Sequence, residues 1–213
     1  MNEKPRLFVD MDGTLAEWRN IVISLEHIEE CYKKDVIEQK LDRILYTPGY
    51  FRSLKPQMNV VMAIKKIIAE GEIETFILSC ALPDKYGQSP EKDKDWWLDR
   101  YIPEIDKEHR IFVPNGENKN NYIPGGIRPT DALLDDYTKN LRNFSEVARA
   151  IKLENNINGR HGTWAGNRVS YIADTLAEDL SEIVINNKMI IHKDVPKDAK
   201  EIPEEEFLKQ FEK

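Results

Sequence analysis

Short, nearly continuous apolar runs alternate with segments of helical period along this chain, and that alternation restricts the fold more than any other feature. Residues 6–10, RLFVD, form the kind of run that a sheet buries on both faces. Residues 56–71, PQMNVVMAIKKIIAEG, place Pro56 at a helix start, Val60, Val61, Ile64, Ile67 and Ile68 at helical spacing, and Gly71 at the stop. TFILSCAL then reads as a second buried strand, EKDKDWWLDRYI as a helix, RIFVP as a third strand, DALLDD as a fourth and TKNLRNFSEVARAI as a helix. Strands alternating with helices predict a parallel sheet covered by helices on both faces.

One stretch breaks the alternation. Residues 19–46 hold no convincing buried strand, but Leu25, Ile28, Tyr32, Val36, Leu41, Ile44 and Leu45 fall near helical spacing with charges between them. They predict a small helical insertion closed by the turn signal TPGY. An insertion after the first strand sits over the C-terminal edge of the sheet, where open α/β folds bind ligands, and is therefore a candidate lid.

The first apolar run ends in Asp10-Met11-Asp12-Gly13-Thr14. Side chains alternate along extended chain, so Asp10 and Asp12 project toward one site. Gly13 lets the backbone turn sharply past that site, and the Thr14 hydroxyl can donate to an anion there. Two carboxylates about 4 Å apart repel by roughly 4 kcal/mol at an effective dielectric near 20, so a counter-cation or a shared proton is expected. A capping turn is the plainer reading of the motif alone. An EF-hand is excluded, because Leu15 and Ile21 stand where its loop needs glycine and glutamate.

The fourth run ends in Asp135-Asp136. Alone that pair reads as a solvated turn, but strand ends of a parallel sheet converge at one edge, so both acidic pairs can build one site of oxygen donors suited to Mg²⁺. Ser79 closes FILS, where its hydroxyl and the following amides can hold a phosphate oxygen. Lys94 lies near a helix start, against the dipole, a placement that a site would justify.

Charge narrows the partner. The net charge of −7, with 32% charged residues and no basic block, argues against a nucleic acid polymer or an anionic membrane surface, while a local cation can still receive a small phosphorylated metabolite. Two cysteines, Cys31 and Cys80, make neither a CxxC site nor a disulfide framework and fit a reducing cytoplasm. The start MNEKPR leads into an apolar stretch too short for a signal peptide, and no run reaches the length of a membrane span.

Asp10 to Thr14, Ser79 after a buried strand, Lys94 on the next helix and Asp135-Asp136 after a later strand resemble, in order, the four motifs of the haloacid dehalogenase-like phosphohydrolases, over about residues 5–140. VDMDGTLAEW, GYFRSLKP, KDWWLDRYI and LLDD resemble more closely the 5′(3′)-deoxyribonucleotidase branch, with Ser79-Cys80 where a Thr-Ser pair is more usual. The resemblance implies a Rossmann-like core over residues 1–16 and 52–190, a helical cap over 17–51 and a C-terminal extension over 191–213. It also implies a phosphatase that uses Mg²⁺ and an aspartyl-phosphate.

On that resemblance Asp10 is the nucleophile and Asp12 the general acid and base. Asp10, the Asp12 carbonyl and Asp136 ligate the metal with Asp135 behind them, the two last being exchangeable. Gly13, Thr14, Ser79, Cys80 and Lys94 receive the phosphoryl oxygens. Trp18 can stack on a nucleobase, and Tyr50, Phe51 and Arg52, at the far end of the insertion, return to the same cleft. The expected substrate is a nucleoside monophosphate; the alternatives are a sugar phosphate, a phosphorylated amino acid, or an inactive metabolite-binding module. A homodimer stays open. A receiver-type signalling domain is set aside because its acidic pair and lysine come in the reverse order.

NGRHGTWAGNRVSY, with His161 and Trp164, reads as a structural loop, and EEEFLKQFEK as a short amphipathic surface helix. His27, His109 and His192 show no metal-ligand spacing.

Overall fold

The computed structural model describes residues 3–18, 42–155 and 164–192. Of the insertion read as helical, residues 19–41 lie outside these residues, as do Cys31, His27, His161 and the C-terminal amphipathic segment, while residues 42–45 are helical.

Six parallel strands form one sheet in the order β3-β2-β1-β4-β5-β6. They are β1 (Arg6–Val9), β2 (Glu74–Ala81), β3 (Arg110–Pro114), β4 (Ala132–Asp135), β5 (Arg149–Glu154) and β6 (Asn167–Ser170). The helices that accompany them among the described residues include α1 (Met58–Glu70), α2 (Pro90–Tyr101), α3 (Thr138–Ser145) and α4 (Leu176–Asn186). β1 is central, with Val9 level with Ile77 of β2 and Leu134 of β4, so the residues just past these strands emerge side by side.

The continuous apolar runs follow from burial on both faces. Leu7 and Val9 of β1, Ile77 of β2, Leu134 of β4 and Ile151 of β5 share a core with Val60 and Ile64 of α1, Trp97 of α2 and Leu180 of α4. The alternate residues Phe8, Phe76, Leu78, Leu133 and Ala150 face a second core with Leu141 and Phe144 of α3. The period-2 alternation of strand side chains thus serves two apolar layers at once. α1 ends as expected, with Gly71 at φ 71° donating its N–H to the Ile67 carbonyl, a left-handed cap that glycine adopts without steric penalty.

Two segments differ from the sequence reading. TKNLRNFSEVARAI is not one helix: α3 stops at Ser145 and RAIKLE becomes β5, paired to β4 with Leu133 opposite Ala150. Within NGRHGTWAGNRVSY, residues Asn167–Ser170 form the edge strand β6. Trp164 bonds the Asn167 carbonyl at 3.1 Å and packs against the second core, which fits a structural part.

The chain around Glu17 and the chain around Lys55 meet at one narrow stem, and Leu45, Tyr46, Tyr50, Phe51 and Leu54 before Lys55 pack into the first core. Ala16 pairs antiparallel with Pro56, the Glu17 amide donates to the Lys55 carbonyl at 2.7 Å, and the Gln57 amide donates to the Leu15 carbonyl at 2.7 Å.

A buried ion pair anchors the start of β1. Arg6 donates to both carboxylate oxygens of Asp131, at 3.0 and 2.6 Å, and to the carbonyls of Pro124 and Gly126 at 2.8 and 2.7 Å. Because Asp131 is fully buried, Arg6→Met strands its charge. We expect a loss of about 3–5 kcal/mol in unfolding free energy by chemical denaturation; a loss below about 1 kcal/mol would show that the pair is not a stabilising clasp.

Candidate active site

Past β1 the chain turns tightly: the Met11 carbonyl accepts from the amides of Thr14, Leu15 and Ala16 at 3.2, 2.9 and 2.9 Å. Gly13 makes the turn at φ 81°, and a Cβ there would lie 2.8 Å from Cγ of Asp136. Glycine is therefore required twice, for the backbone angle and for the close approach. The turn aims both halves of the DxD pair at the edge formed by β1, β2 and β4.

Asp10, Asp135 and Asp136 each offer an oxygen, all within 4.8 Å of one another, and all three residues are buried. Three carboxylates so close need compensation. Lys119, from the short 3-10 turn Lys119–Tyr122, supplies part of it with bonds to Asp10 at 2.7 Å and Asp135 at 2.8 Å. Burial alone pulls this lysine's pKa down, but the two carboxylates outweigh burial and hold it above the usual lysine value. Burial raises the pKa of Asp135, opposed by Lys119 and reinforced by Asp10. Asp135 also accepts from the Tyr137 amide at 2.7 Å and from Asn140 at 2.9 Å, so its oxygens already have partners.

Lys94, on α2, is the second cation. It is buried and donates to Asp12 at 2.6 Å, to the Ser79 hydroxyl at 3.2 Å and to the Cys80 carbonyl at 2.6 Å. Its cost near a helix start is thereby offset by an acidic partner. Asp12 is half-buried at the cavity floor, and the desolvation there raises its pKa, with Lys94 opposing and Asp10 adding to the shift. Its second oxygen, Oδ1, has no hydrogen-bond partner among the described residues, and neither has the buried Thr14 hydroxyl.

A cavity of about 610 Å³ opens above these groups. Asp10, Asp12, Cys80, Lys94, Lys119 and Asp136 line its floor, while Trp18, Leu45 and Phe51 line it from the insertion's two ends. Asn115 to Asn118 and Tyr137, Lys139, Asn140 and Asn143 contribute a polar wall. Three of the remaining expected site residues sit apart from this lining. Ser79 lies beneath it, bonded to Lys94. Tyr50 is buried behind Phe51, with ring centroids 4.9 Å apart, and its hydroxyl pKa is raised by burial and by Asp12. Arg52 pairs with Asp93 at 2.5 Å and lines a neighbouring cavity of about 440 Å³.

The donor set suits a hard divalent cation: carboxylate oxygens, buried and adjacent, with no sulfur or imidazole among them. Asp10, Asp135 and Asp136 could hold such a cation, although Asp135 already accepts hydrogen bonds from Tyr137 and Asn140.

Over residues 4–180 the chain matches the family described as 5′ nucleotidase, deoxy (pyrimidine), cytosolic type C protein. The chain belongs to that family. As a type C 5′ nucleotidase family member it is a phosphatase. Its relatives include a protein of Vibrio phage KVP40 named "Putative 5′(3′)-deoxyribonucleotidase", 27% identical over 139 residues, 65% of this chain and 69% of that one. A Staphylococcus epidermidis protein of the same name is 25% identical over 169 residues, 73% of this chain and 87% of that one. Among solved structures, a "putative haloacid dehalogenase-like hydrolase" from Burkholderia xenovorans LB400 aligns with TM-score 0.46 and 12% identity, over 85% of this chain and 97% of that one.

Within this type C nucleotidase framework, Lys119 is a site residue that sequence reasoning missed. Its surroundings, NGENKNNY, are a polar turn without periodicity. The one available signal was a lysine between the ends of β3 and β4, at the sheet edge where the acidic pairs converge.

Proposed function

We propose that this chain is a Mg²⁺-dependent phosphomonoester hydrolase that removes the phosphate of (deoxy)nucleoside monophosphates through an aspartyl-phosphate on Asp10, in the cytoplasm. The observation that supports it best is the floor of the cavity, where four carboxylates and two buried lysines meet beneath an opening of about 610 Å³.

Asp10 attacks phosphorus, and the bond from phosphorus to the ester oxygen breaks. Asp12, as the acid, gives its proton to that leaving oxygen; its raised pKa keeps a protonated fraction nearer neutral pH than an ordinary aspartate. Asp12, now a carboxylate, takes a proton from water, whose oxygen attacks the phosphoryl group. The bond to Asp10 then breaks, releasing inorganic phosphate and restoring the Asp10 carboxylate and the protonated Asp12. Lys94 and Lys119 face the developing charge on the phosphoryl oxygens from two sides. The divalent cation, when bound, supplies charge neutralisation at Asp10 and the phosphoryl group.

Residues 17–51 act as a cover over the core. Trp18, Leu45 and Phe51, all on the cavity wall, support this reading. An indole placed there can stack on a base, a contact worth roughly 1–3 kcal/mol.

Phosphate release from a panel of nucleoside monophosphates, sugar phosphates and phosphorylated amino acids tests the assignment. We expect the nucleotides to lead. Trp18→Ala is expected to lower kcat/KM for a nucleotide by about 5- to 150-fold, the equivalent of that stacking range, and to leave a small alkyl phosphate nearly unchanged. Equal losses on both would make Trp18 structural, and a preference for sugar phosphates would refute the nucleotide assignment.

A further inference from the structure

The carboxylate of Asp136 is held by a residue that lies outside the acidic motifs. Asn155 follows β5 directly and is 4% exposed. Its side-chain Nδ2 donates to the Asp136 carboxylate at 3.1 Å and also to the Gly13 carbonyl. An amide nitrogen has two hydrogens, and here each finds an acceptor in a different part of the site. The Gly13 carbonyl receives a second donor from the opposite side, Gln57 Nε2 at 2.7 Å, from the residue just before α1. Lys152 of β5 donates to the Asp136 backbone carbonyl.

We propose that Asn155 is a positioning residue that ties the Asp136 carboxylate to the Gly13 turn, fixing the spacing between the two acidic strand ends whose carboxylates would hold the cation. Gly13 and Asp136 follow the neighbouring strands β1 and β4 but are far apart along the chain. A carboxylate left to itself rotates about its last bond, and a turn at positive φ can relax. The shared amide removes both freedoms at once. It does so without bringing a positive charge, which would compete with a cation as Lys119 competes at Asp10 and Asp135. Gln57 steadies the same carbonyl but does not bond Asp136, so the two amides have separable roles.

This inference rests on the reading that Asp10 and Asp136 hold the divalent cation. Its test is binding of Mn²⁺ alone, read from the loss of the free-ion electron paramagnetic resonance signal well below the melting temperature. Wild-type protein is expected to bind. Asn155→Leu, similar in volume but without the donor, should weaken Kd by about 10- to 100-fold, the usual range for a residue that orients a metal ligand. Gln57→Met should change Kd by less than about threefold. Asn155→Ser, too short to span both acceptors, carries the same expectation as Asn155→Leu if the leucine variant does not fold.

An unchanged Kd in the Asn155 variants overturns the positioning role while leaving the cation site intact. An equal loss in Gln57→Met overturns it too, since the effect would then come from the turn alone. Absence of Mn²⁺ binding by the wild type would overturn the cation reading and this inference with it.

Discussion

Asp10→Asn is expected to lower turnover of a nucleoside monophosphate by about 10⁴-fold or more while the protein stays folded. The side chains are nearly equal in size, and the Asp10 amide keeps its 2.9 Å bond to the Leu134 carbonyl in the β1–β4 ladder. Lys119 keeps its bond to Asp135. What is lost is the attacking charge, and removing a covalent nucleophile costs on the order of 10⁶ in kcat in a well-studied hydrolase. Steady-state phosphate release with a circular dichroism check decides it. If the variant kept a tenth of the wild-type rate, the covalent route through Asp10 would be wrong.

Removing the cation should have a comparable effect. Asp10, Asp135 and Asp136 crowd oxygens within 4.8 Å, and Lys119 offsets only part of that charge. Excess chelator should reduce phosphate release to background, and added Mg²⁺ should restore it. The same addition should raise the thermal midpoint, since a ligand at 100 times its Kd stabilises the folded state by about 2.7 kcal/mol. Full turnover in excess chelator would remove the cation from the mechanism altogether.

What could be read from the chain depended on how local the cause was. β1, β2, β3 and β4 were legible because each is a compact apolar run, and the acidic pairs were legible because they close two of those runs. β5 was hidden by its own periodicity. Leu141, Phe144, Ala148 and Ile151 continue helical spacing through SEVARAI, yet pairing with β4 takes Arg149–Glu154 into the sheet. A contact between distant segments overrides the local pattern there. Lys119 and Asn155 were hidden for the related reason that nothing near them in sequence marks a site. Their roles arise only when the loops after β3 and β5 arrive beside β1. Lys94 was legible because it conflicts with its helix start, although only the structure supplies its bonds to Asp12 and Ser79.

The stem at Ala16–Pro56 has a consequence for how such a protein can change. Outgoing and returning chain are hydrogen-bonded to each other at the base, so the two ends of the segment between Glu17 and Lys55 are held at a fixed socket. Lengthening such a graft adds little closure entropy, about 0.6 kcal/mol for each doubling. It also leaves the Asp10–Thr14 turn where it is. Trp18, Leu45 and Phe51 on the cavity wall lie beyond this socket, whereas Asp10, Asp12, Lys94, Lys119 and Asp136 on its floor lie outside it, so substitutions in the graft can reshape one wall of the cavity while the acidic floor is carried over unaltered.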